Sequence, residues 1–553
     1  MAYDLVIRGG DIVDGSGLPR FRGDVGVKDG RIAKIGRIAE RGEREIDAEG
    51  HVVTPGFIDG HTHMDAQINW DPLSTSSCYQ GVTSVVMGNC GFTLAPSRAD
   101  DRGMVVRNLE RAEDISAAAM AQGITWGWQT FPEYLDYLDN LPKGLNHAVY
   151  VGHSALRTWA MGERAFETEA NDDEMAAMAA QLRAGVEAGA MGLSTSRSRA
   201  HETSDDRPVA SRVGSWDEVR NLVGVLGDMG KGLFELALGG RVPEGLEALA
   251  TETRVPVTFG IGAVGGTDWR EQLELLDRVA GNGGRIIGQT HSRGLTLLLS
   301  FQSGLPFDKL PTWRDFRSLP LARQEELLRT DADLRARLVH AANHEDYPRA
   351  LSTEPRRPKW GLIEVRDGPL PPYKNLAELS SAQDRDPVEI MIDLALASPG
   401  LSQIFVQTLT PYPEEDLLAV LRHPRTVMTF SDSGAHVSQI SDCSIQTYLL
   451  AYWVRARQAF TLEEAVRMIT LTPAATWGFS DRGLLREGLA ADINVFDPDT
   501  IMPQTPKVVN DLPGGSRRFV QHAAGIRATV VNGQVLMENG EHDGALPGKL
   551  LRQ

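Results

Sequence analysis

A (β/α)8 TIM-like barrel carrying a small β-sandwich built from both chain ends is the fold class this sequence predicts. Three observations predict it. Eight short apolar segments alternate with helical patterns through the middle of the chain, as βα units require. Alternating strands with glycine turns open the chain and return at its end. Side chains suited to metals and proton transfer gather where the apolar segments stop, the catalytic face of such barrels.

The elements follow in order. Residues 3–54 read as short strands, among them Asp4-Leu-Val-Ile-Arg-Gly-Gly10 and Asp24-Val-Gly-Val-Lys28. The Lys28-Asp-Gly-Arg31 step has the residues of a tight hairpin. Barrel strands are expected at 56–59, 84–87, 148–151, 192–195, 233–236, 255–259, 285–289 and 427–431. Helices are expected at 172–188, where Met175, Met178, Leu182 and Val186 recur at near-helical spacing, and at 269–279. A ninth apolar segment, 404–408, exceeds the count and follows an Arg-, Pro- and Leu-rich stretch at 300–400. Both are placed in an insertion between the last two barrel strands, on the catalytic face. Strand texture resumes in Ala491-Asp-Ile-Asn-Val-Phe-Asp497 and at 526–537. The predicted domains are therefore 1–54 plus 485–553 for the sandwich and 55–484 for the barrel.

A chain of 553 residues exceeds one ordinary core, and 42% apolar residues support two. The formal charge of −18, without Lys/Arg blocks, argues against nucleic acid or an anionic membrane as partner. No apolar run reaches the length of a membrane span, and Cys78, Cys90 and Cys443 cannot form a disulfide framework. A cytoplasmic location is expected, with a small-molecule partner and homo-oligomerisation left open.

The most informative run is Pro55-Gly-Phe-Ile-Asp-Gly-His-Thr-His63. His61 and His63 close a short apolar strand, and residues separated by one share a face of extended backbone. Both imidazoles then reach one ion, held more rigidly than on a free loop. The other strand ends supply Cys90 in Gly88-Asn-Cys-Gly-Phe92, His153, Thr195 with Arg197, Glu235, His291 and Asp432. Asp432 closes Thr426-Val-Met-Thr-Phe-Ser-Asp432 and reads either as a turn former or as the carboxylate that orients and deprotonates a water. Cys90 reads as a small buried thiol or as a metal thiolate. His153 divides between structural histidine and substrate contact, and His291 between ligand, substrate contact and structural residue. Trp70, Trp126, Trp128, Phe301 and Trp313 are candidates for an apolar pocket or for lid packing.

The opening Pro-Gly-Phe-Ile-Asp-Gly-His-Thr-His, the Ser431-Asp432 strand end, the Arg482-Gly-Leu-Leu-Arg-Glu-Gly-Leu-Ala-Ala-Asp492 run and Val530-Val-Asn-Gly533 resemble the amidohydrolase superfamily over nearly the whole chain. Gly81-Val-Thr-Ser-Val-Val-Met-Gly-Asn-Cys-Gly91, Val151-Gly-His-Ser-Ala-Leu-Arg157 and Gly192-Leu-Ser-Thr195 resemble its N-acyl-D-amino-acid deacylase (D-aminoacylase) branch. The resemblance implies a Zn2+-dependent hydrolase of C–N bonds, with one or two ions held around His61, His63, Cys90 and Asp432. The branch also has histidines at strands five and six, where this chain reads Phe234-Glu-Leu-Ala237 and Thr258-Phe-Gly-Ile261. Glu235 is the substitute ligand proposed there, and His291 a further one. The branch's His-Pro-Arg element is replaced by Gly434-Ala-His-Val-Ser438. Arg197, Arg199 and Arg293 are the candidates to bind a substrate carboxylate in its place; the alternative is a neutral amide.

The leading expectation is hydrolysis of a linear N-acyl amide by metal-activated water, with Asp432 as general base and acid and His153 or His291 near the oxyanion. The rivals are a neutral aryl or alkyl amide, cyclic-amide hydrolysis or deamination on the same scaffold, and a metal-free, non-catalytic scaffold.

Overall fold

A computed structural model describes residues 3–263, 268–409, 412–440 and 442–553. Its centre is a series of parallel strands: Phe57–Asp59 with His61–Thr62, Val82–Met87, Asn146–Val149 with Val151–Gly152, Gly192–Ser196, Leu233–Ala237, Val257–Gly260, Ile286–Thr290, and Thr426–Met428 with Phe430–Ser433. Each pairs in parallel with the next. The last returns to the first, where Phe430 pairs with His61. Several are buried from end to end, such as Val82–Met87 and Gly192–Ser196, as parallel strands covered on both faces must be. Val86, Tyr150, Leu233, Ile287 and Val427, from five of these segments, meet Trp477 in one apolar cluster.

The intervening helices are specified by their ends as much as by their faces. Asn171 and Glu174 form a reciprocal capping box at the start of Asp172–Glu187, which turns Met178, Leu182 and Val186 inward. Burying each such side chain contributes about 1.5–3 kcal/mol. Trp216–Met229 starts at Ser215, whose hydroxyl accepts the Glu218 N–H, and stops at left-handed Gly230.

The chain ends form one nine-stranded sheet, ordered Glu541–His542, Gln534–Glu538, Ile526–Val531, Ile493–Phe496, Val52–Pro55, Tyr3–Ile12, Phe21–Lys28 and Arg31–Gly36, with Gly42–Asp47 also on Tyr3–Ile12. The expected hairpin is present: Asp29 and Gly30 have φ of 50° and 74°, as a type I′ turn requires. Val52–Pro55 lies beside Ile493–Phe496 and runs directly into the first of the central parallel strands, so the sheet fixes where His61 and His63 emerge.

Between Ile286–Thr290 and Thr426–Met428 lies an insertion. Its antiparallel sheet begins at Thr296–Leu299 and ends at Phe405–Thr408, the ninth apolar segment. Helices between these strands enclose a separate core around Phe307, Trp313, Leu338 and Ile392. Phe301 and Trp313 belong to this core rather than to a pocket, and Trp313 donates its indole N–H to the Leu338 carbonyl at 2.9 Å. Trp128 is likewise buried and bonded to the Leu94 carbonyl at 2.9 Å. The C-terminal segment is not confined to the terminal sheet: its Lys507–Leu512 and Ser516–Val520 hairpin sets Phe519 against Leu298, Ile404 and Val406 of the insertion. No helix among the described residues is long and apolar enough to cross a membrane.

Candidate active site

His61 and His63 stand where the first of the central parallel strands meets the last. The His63 N–H donates to the Ser433 carbonyl at 2.7 Å, locking the two strand ends together. Gly434 permits this approach: its φ is 96°, and a Cβ there would lie 2.4 Å from the His63 carbonyl oxygen. Gln289, at the seventh strand, takes the Nδ1 side of His61 at 2.7 Å, while its own amide N–H bonds the Thr258 hydroxyl at 3.0 Å. With the amide oxygen facing the ring, His61 donates from Nδ1 and is the Nδ1–H tautomer. Nε2 is therefore bare, 3.5 Å from Cys90 Sγ and 3.4 Å from Asp432 Oδ1. Burial lowers the His61 pKa to about 3, so the ring is neutral.

His63 lies between two acids, with Nε2 3.1 Å from Asp432 Oδ1 and Nδ1 3.6 Å from Glu113 Oε2. Burial pulls its pKa down, but Glu113 and Asp432 outweigh it and raise it to about 10. Burial also pushes Asp432 up, yet the His63 hydrogen bond and the charges of His63 and His61 carry it well below the usual carboxylate range.

Cys90 is presented by a tight left-handed loop, with φ of 79°, 56° and 80° at Gly88, Cys90 and Gly91. Asp432 shares this conformation at 57°. Each non-glycine residue held so costs of order 1–3 kcal/mol, offset at Cys90 by its N–H bond to Glu235 Oε2 at 2.8 Å. Burial raises the thiol well above its ordinary pKa, so its thiolate needs a cation beside it. A ligand atom from each of His61, His63 and Cys90 lies within 4.8 Å of the others. Nitrogen and sulfur donors at this spacing fit zinc, and His63 Nδ1 is buried without a hydrogen-bond partner among the described residues.

These residues open onto a cavity of about 230 Å³. Glu235 lines it, its pKa raised by burial to about 8. His291 also lines it, edge-on to Phe430 with ring centroids 4.9 Å apart and its buried Nδ1 without a hydrogen-bond partner among the described residues. The structure thus brings His61, His63, Cys90, Asp432, Glu235 and His291 together, although Glu235 and His291 fall outside the close three-donor group. The strand-five and strand-six histidine positions hold Glu235 and the Thr258 to Gly260 strand end, where Thr258 serves Gln289.

The three expected substrate contacts are placed elsewhere. His153 is clasped between the Thr195 hydroxyl at 2.8 Å and Glu218 Oε1 at 2.7 Å. Arg197 donates to the carbonyls of Gly214 and Ser215. Arg293 pairs with Asp442 at 2.7 Å and lies over Tyr448. None of the three is among the residues lining the cavity.

Other lining residues carry no sequence motif. Glu113 follows helix Arg102–Glu110 by a loop, and its carbonyl accepts the His436 N–H at 2.6 Å. His436 meets the Thr353 hydroxyl of the insertion at 3.3 Å, and His201 meets Ser196 at 2.7 Å. Gln289 was legible only as a strand end.

A profile described as the amidohydrolase family matches residues 44–537. D-aminoacylase of Alcaligenes xylosoxydans xylosoxydans is 27% identical over 568 residues, covering 99% of this chain and 97% of its own. N-acyl-D-glutamate deacylase of the same organism is 28% identical over 563 residues, covering 100% and 96%. Among solved structures, N-acyl-D-glutamate deacylase from Bordetella bronchiseptica, complexed with zinc and a phosphonate inhibitor that mimics the tetrahedral intermediate, superposes with a TM-score of 0.65 at 25% identity over the full length of both chains.

Proposed function

The chain belongs to the amidohydrolase family, and from that premise we propose that it is a zinc-dependent hydrolase of a linear N-acyl amide bond. The observation that carries this reading is the three-donor group of His61, His63 and Cys90 with Asp432 Oδ1 3.4 Å from one imidazole and 3.1 Å from the other. The deacylase relatives, aligned over nearly their whole length, support the N-acyl amide as the bond cleaved. The ring of parallel pairings supports a (β/α)8 barrel, with the terminal sheet as a smaller companion.

His61, His63 and Cys90 hold the ion, Gln289 sets the His61 tautomer, and Glu235 anchors the Cys90 loop. Zinc, when bound there, supplies a Lewis acid for the amide carbonyl and acidifies water near neutral pH. Asp432 accepts the proton of the attacking water at its carboxylate and returns it to the departing nitrogen. A carbon–oxygen bond forms as the carbon–nitrogen bond breaks, giving a carboxylic acid and an amine. His291, kept neutral by burial, offers an N–H to the developing oxyanion. Phe430, Ile261, Leu238 and Leu295 line the cavity and exclude bulk water.

Purified, zinc-supplemented protein should contain at least about one equivalent of metal, as a one-ion site requires, and hydrolyse linear N-acyl amides in preference to cyclic imides. Asp432→Asn should abolish turnover while retaining fold and most of the metal. Full turnover in that variant removes the proton role; a metal-free protein removes the hydrolase reading.

A further inference from the structure

The insertion touches the cavity wall at Thr353. The strap 349–354 that carries it crosses to the loops bearing cavity residues and is pinned at both ends. At one end Arg349 donates to both carboxylate oxygens of Glu202, at 2.8 and 3.2 Å, and Glu202 adjoins the cavity residue His201 in sequence. At the other end Glu354 takes Arg111 Nε at 3.0 Å and Lys309 Nζ at 2.9 Å, and Arg111 lies just before the cavity residue Glu113. The Leu351 N–H donates to Glu354 Oε2 at 2.8 Å, which closes the strap on itself. Between the pins Thr353 is buried, with its hydroxyl 3.3 Å from His436 Nδ1.

His436 lines the cavity and is held from two sides. Its backbone N–H donates to the Glu113 carbonyl at 2.6 Å, and its φ is 47°. A non-glycine residue keeps this conformation only where its surroundings over-determine it, and such positions cluster at sites of function. Thr353 takes Nδ1, which leaves Nε2 as the ring's free hydrogen-bonding atom among the described residues. Gln289 already serves His61, and His291 is assigned to the oxyanion. Ser198, His201 and Tyr412 share the wall, but none of them is hydrogen-bonded to the insertion among the described residues. The charges around His436 are mixed: Asp432 and Glu113 face the cationic His63, and zinc adds positive charge when bound. A contact through Nε2 depends on none of them, because an uncharged imidazole hydrogen-bonds there in either tautomer, as donor or as acceptor.

We propose that His436 binds the substrate through Nε2, at an oxygen-bearing group outside the scissile amide, and that Thr353 is the positioning residue that aims the ring. The insertion thereby sets substrate affinity inside the cavity. The inference rests on the N-acyl amide reading above and deepens it: the preferred substrate carries, besides its amide, a hydroxyl, carbonyl or carboxylate oxygen within reach of the imidazole.

Matched amides test it with the zinc-loaded full-length enzyme. N-butanoyl derivatives of D- and L-leucine and of D- and L-leucinol carry the extra oxygen on the amine side, and N-(3-hydroxybutanoyl)-3-methylbutylamine carries it on the acyl side. N-butanoyl-3-methylbutylamine lacks it. Thr353→Val keeps the shape of the side chain and removes its hydroxyl. For the oxygen-bearing amide that the wild type hydrolyses best, it should raise KM by about three- to tenfold, as loss of one hydrogen bond implies, with kcat and zinc content held. The oxygen-free amide should be unaffected. Thr353→Ser, which retains the hydroxyl, should stay near the wild-type KM. His436→Ala should raise KM at least as far as Thr353→Val, and the double variant no further, since both substitutions remove one contact. Thr353→Ala replaces the valine variant should that not fold. An unchanged KM in a folded, zinc-loaded variant lacking the hydroxyl overturns the inference, as do equal losses on oxygen-bearing and oxygen-free amides, equal losses in the serine and valine variants, or additive losses in the double variant; the N-acyl amide reading survives each of these. If the wild type hydrolyses none of the amides, that reading falls and takes the inference with it.

Discussion

His61 and Gln289 meet at 2.7 Å between Nδ1 and Oε1, across the first and seventh strands. This bond determines which imidazole nitrogen faces Cys90. The Thr258 hydroxyl bonds the other end of the amide at 3.0 Å. Such outer partners typically contribute 10–100-fold to metal affinity. Gln289→Leu keeps much of the volume but leaves the buried Nδ1–H without an acceptor. Zinc affinity, measured by competition with a chromophoric chelator, should fall by about 10–100-fold while the far-ultraviolet circular dichroism is unchanged. An unaltered affinity would mean that the tautomer is set by other groups.

Cys90 has a sharper role. Its thiol is the only sulfur in the three-donor group, and a serine hydroxyl in its place is a poor zinc ligand. Cys90→Ser should lose zinc affinity by about a hundredfold or more. Cys78→Ala should keep it, because Cys78 shares the hydrophobic cluster with Cys90 but is not in the three-donor group. Equal zinc content in the two variants contradicts the assignment.

These assignments show which parts of the site the sequence carries. His61, His63 and Asp432 were legible because strand periodicity and a strand-end position were read together. Their neighbour Glu113 was not, since it follows a helix by a loop without period or motif and reaches His63 only through the fold. The strand-end rule also has a limit, visible at His153, Arg197 and Arg293. It locates a residue along the chain but does not say where its side chain turns. His153 lies in the first turn of helix His153–Met161 and is claimed by Glu218 from the next helix.

Gly60, inside the signature run, faces Trp477 so closely that an added Cβ would lie 2.1 Å from the indole ring. Trp477 is itself fixed by its N–H bond to the Tyr150 hydroxyl at 2.8 Å. Gly60→Ala therefore overpacks the Trp477 cluster next to His61, at a cost of roughly 1–3 kcal/mol or more. Unfolding in denaturant should show that loss. Trp477→Leu in the same chain should recover part of it, giving a favourable coupling in a double-mutant cycle. Strict additivity of the two substitutions would contradict the contact.

Glu218 provides a stability effect with a defined pH window. Burial opposes its ionisation, but the His153 hydrogen bond and the charges and hydrogen bonds of its partners, including Arg157, hold its pKa at about 2 against an ordinary 4.5. His153 is lowered by its own burial, so Arg157, fully buried and ion-paired with Glu218, carries the balancing positive charge. A depressed carboxylate stabilises the fold at pH values above its unfolded-state pKa and loses that contribution as pH falls through the folded-state value. The contribution is therefore complete above pH 4.5 and fades towards pH 2. The shift corresponds to roughly 3 kcal/mol at neutral pH. Glu218→Gln should lose at least that much at pH 7, because Arg157 is left as an uncompensated buried charge. Denaturant unfolding between pH 7 and pH 3 should show the difference between wild type and variant constant down to about pH 5, then narrowing by about 2 kcal/mol by pH 3. A difference that stays level across that range would show that the Glu218 pKa is the same in the folded and unfolded chain, so that its pairing with His153 and Arg157 does not depress it.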